Sequence, residues 1–313
     1  MPELPEVETT KKDLEKWILN DTFTGEGFCD WKKMLNLPIE KFFKELKDAK
    51  VKSLDRRAKI MLINLSNGKT LISHFKMTGH YLLVDDDPKF VPQVTIKHNK
   101  EFKSLPAPQV RLGRKKKVEE AFVHYQENYD PYIHVMFRLR HSDLLFSDLR
   151  KFGWFKLVDT DKIAKVKEIA ELGPEPLYKG FTFEYLREKF AKTNRKVKQV
   201  LMDQTVISGI GNIYADEILW QAKVHPETPA DKLSVWQTQA IFNAIRPELE
   251  KGLKFVGSSI GEYRRIDNSL GKTQEHFNAY GREGLPCRRD GEIMKRIVIG
   301  QRSAVYCPKE QQL

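Results

Sequence analysis

Near residue 160 the hydrophobic period of this chain changes from strand-like to helical, and that change excludes a single sheet or a single helical bundle. Before it, apolar runs of strand length recur: KIMLINL (59–65), TLISHF (70–75), HYLLV (80–84), IHVMFRL (133–139), DLLFSD (143–148) and FGWFKLV (152–158). Asn67-Gly68 separates the first two, as a hairpin requires. After it, helical patterns occupy 162–171, 181–192, 195–203, 212–223 and 231–255, broken by LGPEPL, ISGIGN and HPETPA. This order predicts an α+β, multi-domain chain with a mostly antiparallel β unit first and a helical unit second. A tail over 280–313 reads YGREGLPC, a short β-like run, then YCPKE, which predicts a small terminal hairpin module.

Composition narrows what such a chain binds. The 313 residues include 54 Lys or Arg against 43 Asp or Glu, a net charge of +11 with a pI near 9.3. That balance favours a polyanion such as nucleic acid over acidic metabolites. No run approaches the ~20 apolar residues of a membrane span, and no basic-then-apolar leader opens the chain. The expectation is a cytoplasmic protein, or one in whichever compartment holds its partner, nucleoid or nucleus. Cys29, Cys287 and Cys307 are too few and too scattered for a disulfide framework, which fits a reducing compartment. Residues 85–131, with DDDPKF, PAPQ and RLGRKKK, are weakly periodic and predict an excursion from the sheet with a mobile basic tip.

The first eight residues are MPELPEVE. Proline near a first turn has φ preset for a helix and surrenders an N–H that had no partner. Glutamates there complement the positive end of the helix dipole. With Leu4, Val7, Leu14, Trp17 and Ile18 at helical spacing, a helix over about 3–18 is predicted. Helix-start chemistry explains these residue types but not their place against the terminus.

Four stretches, taken together, account for that place: PELPEVE (2–8), RRAK (56–59), DLRKFG (148–153) and SGIGNIYADE (208–217). The tail adds Cys287-x-x-Asp290 and, sixteen residues on, Cys307-x-x-Glu310. In this order the chain resembles the formamidopyrimidine-DNA glycosylase family, base-excision enzymes that share a fold with endonuclease VIII. The resemblance spans everything but roughly 85–131. It implies an N-terminal β-sandwich flanked by helices (1–160), a helix-two-turns-helix domain (161–256), a lesion-capping loop (257–279) and a degenerate zinc-finger hairpin (280–313).

The resemblance also implies roles. With Met1 removed, Pro2 becomes a secondary amine able to attack C1′ of a damaged nucleotide and form an iminium, as Schiff-base lysines do. Glu3 is assigned proton transfer, and Lys59 the phosphate beside the lesion and help in elimination. Glu6 orients the N-terminal segment. Met77, Arg150 and Phe152 match a trio that fills the void left by an extruded base, with Lys151 beside them on the DNA side. In SGIGN the glycines permit a tight turn, Asn212 is expected to cap the next helix, and its open N–H groups to hold a phosphate. Lys196 and Lys198 add cations, and Arg302 takes the place of the finger arginine. Residues 258–276 are expected to be mobile without DNA.

The tail departs from the family's four-thiolate zinc site, because Asp290 and Glu310 stand where two cysteines would. Zinc accepts carboxylate oxygens, but they are weaker ligands for this ion and Glu reaches further than Cys. The favoured expectation is a metal-free hairpin held by Ile293, Ile297, Ile299 and Val305, with zinc on Cys287, Asp290, Cys307 and Glu310 as its rival. The preferred reading is a bifunctional glycosylase and abasic-site lyase for oxidised purines, acting by β,δ-elimination on double-stranded DNA as a monomer. An endonuclease VIII-type enzyme for oxidised pyrimidines and a catalytically silent DNA-binding relative are the alternatives.

Overall fold

The computed structural model describes residues 2–85, 93–98, 101–106 and 118–313, with backbone pairing alone for 93–106. It divides into two compact units, one of Met1–Pro2, Glu6–Lys165 and Ser258–Gly271, the other of Glu3–Pro5, Val166–Gly257 and Lys272–Leu313. The segment expected as one capping loop is thus shared between them, and the first peptide bonds of the chain pass from one unit to the other. Among the described residues, no helix is long and apolar enough to cross a membrane.

Helix α1 spans Leu4–Ile18, with Glu6 onward in the first unit, and α2 in that unit spans Ile39–Leu46. Strands β1 (Phe23–Cys29), β2 (Val51–Arg57), β3 (Ile60–Leu65), β4 (Lys69–His74) and β5 (His80–Asp85) follow. Next come a backbone hairpin of β6 (Gln93–His98) and β7 (Glu101–Pro106), and helix α3 (Val118–Asn128). Strands β8 (Ile133–Leu139), β9 (Ser142–Ser147) and β10 (Trp154–Asp159) complete two four-stranded antiparallel sheets ordered β1-β8-β9-β5 and β10-β4-β3-β2.

The apolar runs in β5, β8 and β9 are continuous because both faces of that sheet are covered. Tyr81, Leu83, Val135, Phe137, Leu144 and Phe146 enter the main core, while the intervening Leu82, Val84, Met136 and Leu145 meet Phe122 and Tyr125 of α3. Period-2 alternation sorts them between the two faces. The 85–131 stretch therefore does not wholly leave the sheet: α3 covers it, and the Tyr125 hydroxyl donates to buried Asp143 at 2.9 Å. DDDPKF beyond Asp85, most of PAPQ, and RLGRKKK lie outside the described residues.

Helices α4 (Lys167–Ala170), α5 (Phe183–Ala191), α6 (Val197–Leu201), α7 (Asn212–Ala222) and α8 (Val235–Lys254) and a hairpin of β11 (Lys295–Ile299) with β12 (Arg302–Tyr306) form the second unit. Val197, Val200, Leu201, Ile213, Ile218, Ile241, Ile245 and Leu249 make its core. The long helix starts at Val235 because Ser234 and Gln237 form a reciprocal capping box. The helix expected over 162–171 is instead a 3₁₀ stretch, Thr160–Lys165, and one α-turn, neither with a buried residue. Without an apolar face to bury, so short a helix has no source of stability.

Phe155 is fully buried, with Tyr81, Phe137 and Phe146 rings at 6.2, 5.3 and 4.9 Å. Phe155→Ala is expected to cost about 3–5 kcal/mol, read as a lower urea midpoint at unchanged slope.

Candidate active site

Chain termini fray unless tied down. Here Pro2 is buried, and the residue after it is held firmly. In the second unit the Glu3 carboxylate, 1% exposed, accepts from the backbone N–H of Gly211 at 2.6 Å, Ile213 at 2.9 Å and Tyr214 at 3.4 Å. Leu4 N–H donates to the Gly209 carbonyl at 3.0 Å. A helix start leaves four N–H groups without intrahelical partners and carries positive potential, so a carboxylate is a fitting occupant. The turn glycines exist for this approach: a Cβ on Gly211 would lie 2.4 Å from Glu3 Cδ, and one on Gly209, whose φ is +104°, 2.6 Å from Leu4 Cδ1.

This arrangement corrects three expectations. Asn212 does not cap α7; Gly211 is the N-cap, no side chain of the helix caps it, and the Asn212 Oδ1 is buried without a hydrogen-bond partner. The N–H groups expected to hold a phosphate carry Glu3 instead. Lys198 is not a surface cation: it is 1% exposed, pairs with Asp216 at 2.6 Å and donates to the Ser303 carbonyl. Helical periodicity placed Lys198 correctly but could not reveal a buried acid eighteen positions on. Lys196 is half-buried and paired with Glu227, and Arg302 is exposed where β12 leaves a tight turn at Gly300 and Gln301, both of positive φ.

In the first unit, Lys59 occupies the two-residue turn between β2 and β3, with Arg57 and Ile60 paired across it. Ala58 before it has φ +54°, a left-handed conformation costly for a residue with a Cβ, of the kind found at functional sites. Lys59 is 5% exposed, too buried to be an ordinary surface charge. Burial, with Lys76 and Lys59 nearby, pushes His74 down to about 3, so this ring is neutral; its Nδ1 accepts from Lys76 N–H at 2.8 Å. Arg56 pairs with Glu8 at 2.8 Å, giving Glu8 a partner beyond the helix dipole. The Glu6 carboxylate, 1% exposed, accepts from Ser258 N–H at 2.7 Å.

Two loops of this unit carry the expected void-filling residues. Phe152 is 52% exposed and the Arg150 guanidinium stands 4.7 Å from its ring centroid, while Met77 is half-buried. Both loops are organised by an acid that sequence reasoning quoted but gave no role. Fully buried Asp148 accepts from the Thr78 hydroxyl, from Gly153 N–H at 2.7 Å and from Arg150 N–H at 3.2 Å. Lys151, at φ +55°, lies 5.2 Å from the Trp31 ring. Residues 258–271, part of the segment expected to be mobile, are packed in this unit. Apolar residues are few there but anchored, with Tyr263 and Ile266 buried and Leu83 N–H donating to the Ile266 carbonyl at 2.9 Å.

In the tail, the donor atoms of Cys287, Asp290 and Cys307 lie within 4.8 Å of one another and could hold a metal ion. Glu310 is not among them; its carboxylate pairs with Lys223 and stands 3.6 Å from Arg289. Three donors fall short of the four of a closed structural zinc site. A small core of Trp220, Ala279, Cys287, Met294, Val305 and Cys307 holds the module. Of the residues expected there, Val305 belongs to this core, whereas Ile293 is 50% exposed and Ile297 half-buried, and Met294 is the buried residue just before the first strand.

Residues 1–155 match the formamidopyrimidine-DNA glycosylase N-terminal domain and residues 172–263 the formamidopyrimidine-DNA glycosylase H2TH domain. The chain is 33% identical over 315 aligned positions to the formamidopyrimidine-DNA glycosylase of Lactiplantibacillus plantarum, covering 100% of both, and 36% identical to that of Chloroflexus aggregans, covering 98% of each. Among solved structures it resembles the Lactococcus lactis enzyme in complex with abasic-site DNA, with TM-score 0.80, 30% identity, and coverage of 99% of this chain and 100% of that one. A MutM complex with DNA containing carbocyclic 8-oxo-G gives TM-score 0.79 at 31% identity, with both chains fully covered.

Removing the terminal carboxylate leaves buried N–H groups unpaired. Glu3→Ala and Gly211→Ala are each expected to lower stability by about 1–3 kcal/mol in denaturant unfolding. Unchanged midpoints would show that this contact does not secure the terminus.

Proposed function

The chain belongs to the formamidopyrimidine-DNA glycosylase family, and from that membership and its own residues we propose that it is a bifunctional DNA glycosylase and abasic-site lyase for oxidised purines. The observation that carries this reading is the anchorage of the segment just after Pro2. A terminus held by a buried carboxylate on three N–H groups is restrained in the way a positioned N-terminal nucleophile requires.

With Met1 removed, the nitrogen of Pro2 forms a bond to C1′ as the glycosidic C–N bond breaks, its electron pair leaving with the base, which takes a proton. The Pro2 nitrogen then gives up its proton and its lone pair expels O4′ of the sugar, which takes a proton, leaving an iminium that has no N–H to lose and stays charged. The iminium acidifies C2′–H; loss of that proton expels the 3′-phosphate, and a second elimination expels the 5′-phosphate. Glu3, one peptide bond from the nucleophile, is the proposed proton carrier. Buried Lys59 is proposed to hold the adjacent phosphate, and neutral His74 beside it adds no competing charge. Glu6 secures the covering segment through Ser258.

Extruding a base costs a few kcal/mol of stacking, which inserted side chains recover in part. Met77, Arg150 and Phe152 suit that task, on loops that Asp148 fixes and with Lys151 alongside. In the second unit Lys196, Asn212 and Arg302 are the proposed phosphate and backbone contacts. Solved relatives with Fapy-dG, carbocyclic 8-oxo-G or an abasic site in their DNA support this substrate class.

Borohydride added with an 8-oxoguanine:C duplex is expected to trap a covalent adduct mapping to the peptide that begins at Pro2. Lys59→Met is expected to slow its formation by about 10²-fold. An adduct at a lysine, or none with Met1 removed, would refute the proline mechanism, and faster excision of thymine glycol would favour the oxidised-pyrimidine reading.

The tail hairpin is proposed to fold without zinc, because the acid in the fourth ligand position is engaged with two cations. Elemental analysis of the purified protein is expected to find far less than one zinc per chain, and chelation to leave adduct formation unchanged. Stoichiometric zinc would overturn this.

A further inference from the structure

Helix α1 buries two different stripes. Val7, Leu14 and Ile18 enter the main core, whereas Glu6, Thr10 and Asp13, at i, i+4 and i+7, form a polar stripe in which no residue is more than 6% exposed. The partners of that stripe are residues 258–265 of the same unit. Ser258 N–H donates to the Glu6 carboxylate at 2.7 Å, and the Tyr263 hydroxyl donates to the Glu6 carbonyl at 3.1 Å and lies 3.4 Å from the Thr10 hydroxyl. Arg265 closes the series, its Nε and Nη2 each 2.9 Å from a different oxygen of Asp13.

Arg265 also sits at the base of a turn. Its N–H donates to the Ser269 carbonyl at 3.0 Å, and its carbonyl accepts from Asn268 N–H at 2.8 Å. One residue therefore links the turn, through its backbone, to the register of the segment along α1, through its guanidinium. Of the three contacts, only this one is a charged two-point fork, the type that specifies geometry as well as energy. It also lies farthest from the chain terminus.

We propose that Asp13 and Arg265 are a positioning pair, registering the 258–271 segment on the helix that begins beside Pro2 so that the segment fits over an extruded base. The proposal rests on the reading of this segment as the cover of the lesion. It separates the two activities of the enzyme. Excision needs the base covered and oriented, whereas an abasic site presents no base, so its cleavage does not need the cover.

The test compares single-turnover excision from an 8-oxoguanine:C duplex with strand cleavage at a preformed abasic site, for Asp13→Ala, Arg265→Ala and the charge-swapped D13R/R265D chain. Each single variant is expected to lose about tenfold in excision while abasic-site cleavage stays within about twofold of the parent, and the swap is expected to recover most of the loss. Thermal unfolding monitors the fold of each variant. Parallel loss of both activities, no loss of either, or a swap no better than the single variants would overturn the proposal. Failure of the unaltered chain to cleave abasic DNA or to be trapped would instead overturn the catalytic reading beneath it.

Discussion

The contact between the Glu3 carboxylate and the first turn of α7 is the interaction on which most of the described chemistry depends. Two unfavourable situations cancel there. A chain end has too few neighbours to be ordered, and a buried helix start has donors without acceptors. Joined, each supplies what the other lacks. The glycines of SGIGN follow from this contact, since any side chain at Gly211 would collide with the carboxylate and any at Gly209 with Leu4. Asn212, relieved of capping, keeps a buried Oδ1 without a partner.

The same logic recurs along α1. A helix whose second stripe is polar would ordinarily turn it to water, yet here Glu6, Thr10 and Asp13 are buried because 258–265 returns to satisfy them. Buried polar groups demand partners with specified geometry, whereas apolar contacts tolerate sliding. A loop that must be held in one register gains more from such a stripe than from a larger apolar patch. Asp148 does likewise for the loops bearing Met77 and Phe152, drawing one hydroxyl and two backbone N–H groups onto one carboxylate.

These features define what could be read from the amino-acid order. Strands β3, β4, β5, β8, β9 and β10 were legible because their apolar runs are bounded by turn residues, and IHVMFRL coincides with β8. Strands β1 and β2 were not: FTGEGFC carries two glycines and VKSLDRR four charges, as sheet-edge positions permit. Helix α3 was hidden by the low periodicity around it. Pro2, Glu3, Lys59 and the DLRKFG residues were legible as residue types in order. Their partners were not, because Glu3 and Gly211, or Lys198 and Asp216, meet only through tertiary structure.

The tail hairpin is held by contacts that reach it from the helical part of its unit. Beside Arg302, the Ser303 carbonyl accepts from the Lys198 ammonium, and Val305 N–H donates to Asp216 at 3.3 Å, so one buried ion pair grips the backbone on both sides of Ala304. At the far end Gln311 receives Cys307 N–H at 2.8 Å and donates to the Val224 carbonyl at 2.8 Å, while Glu310 meets Lys223 and Arg289. A zinc ion bound by four thiolates would cross-link the two knuckles directly. Here the hairpin and its C-terminal knuckle are also fastened to α6, α7 and the residues after α7, through Lys198, Asp216, Lys223 and Val224. These outside contacts hold the backbone on both sides of Ala304, two residues from Arg302, with Asp290 and Glu310 standing where two of the family's thiolates would.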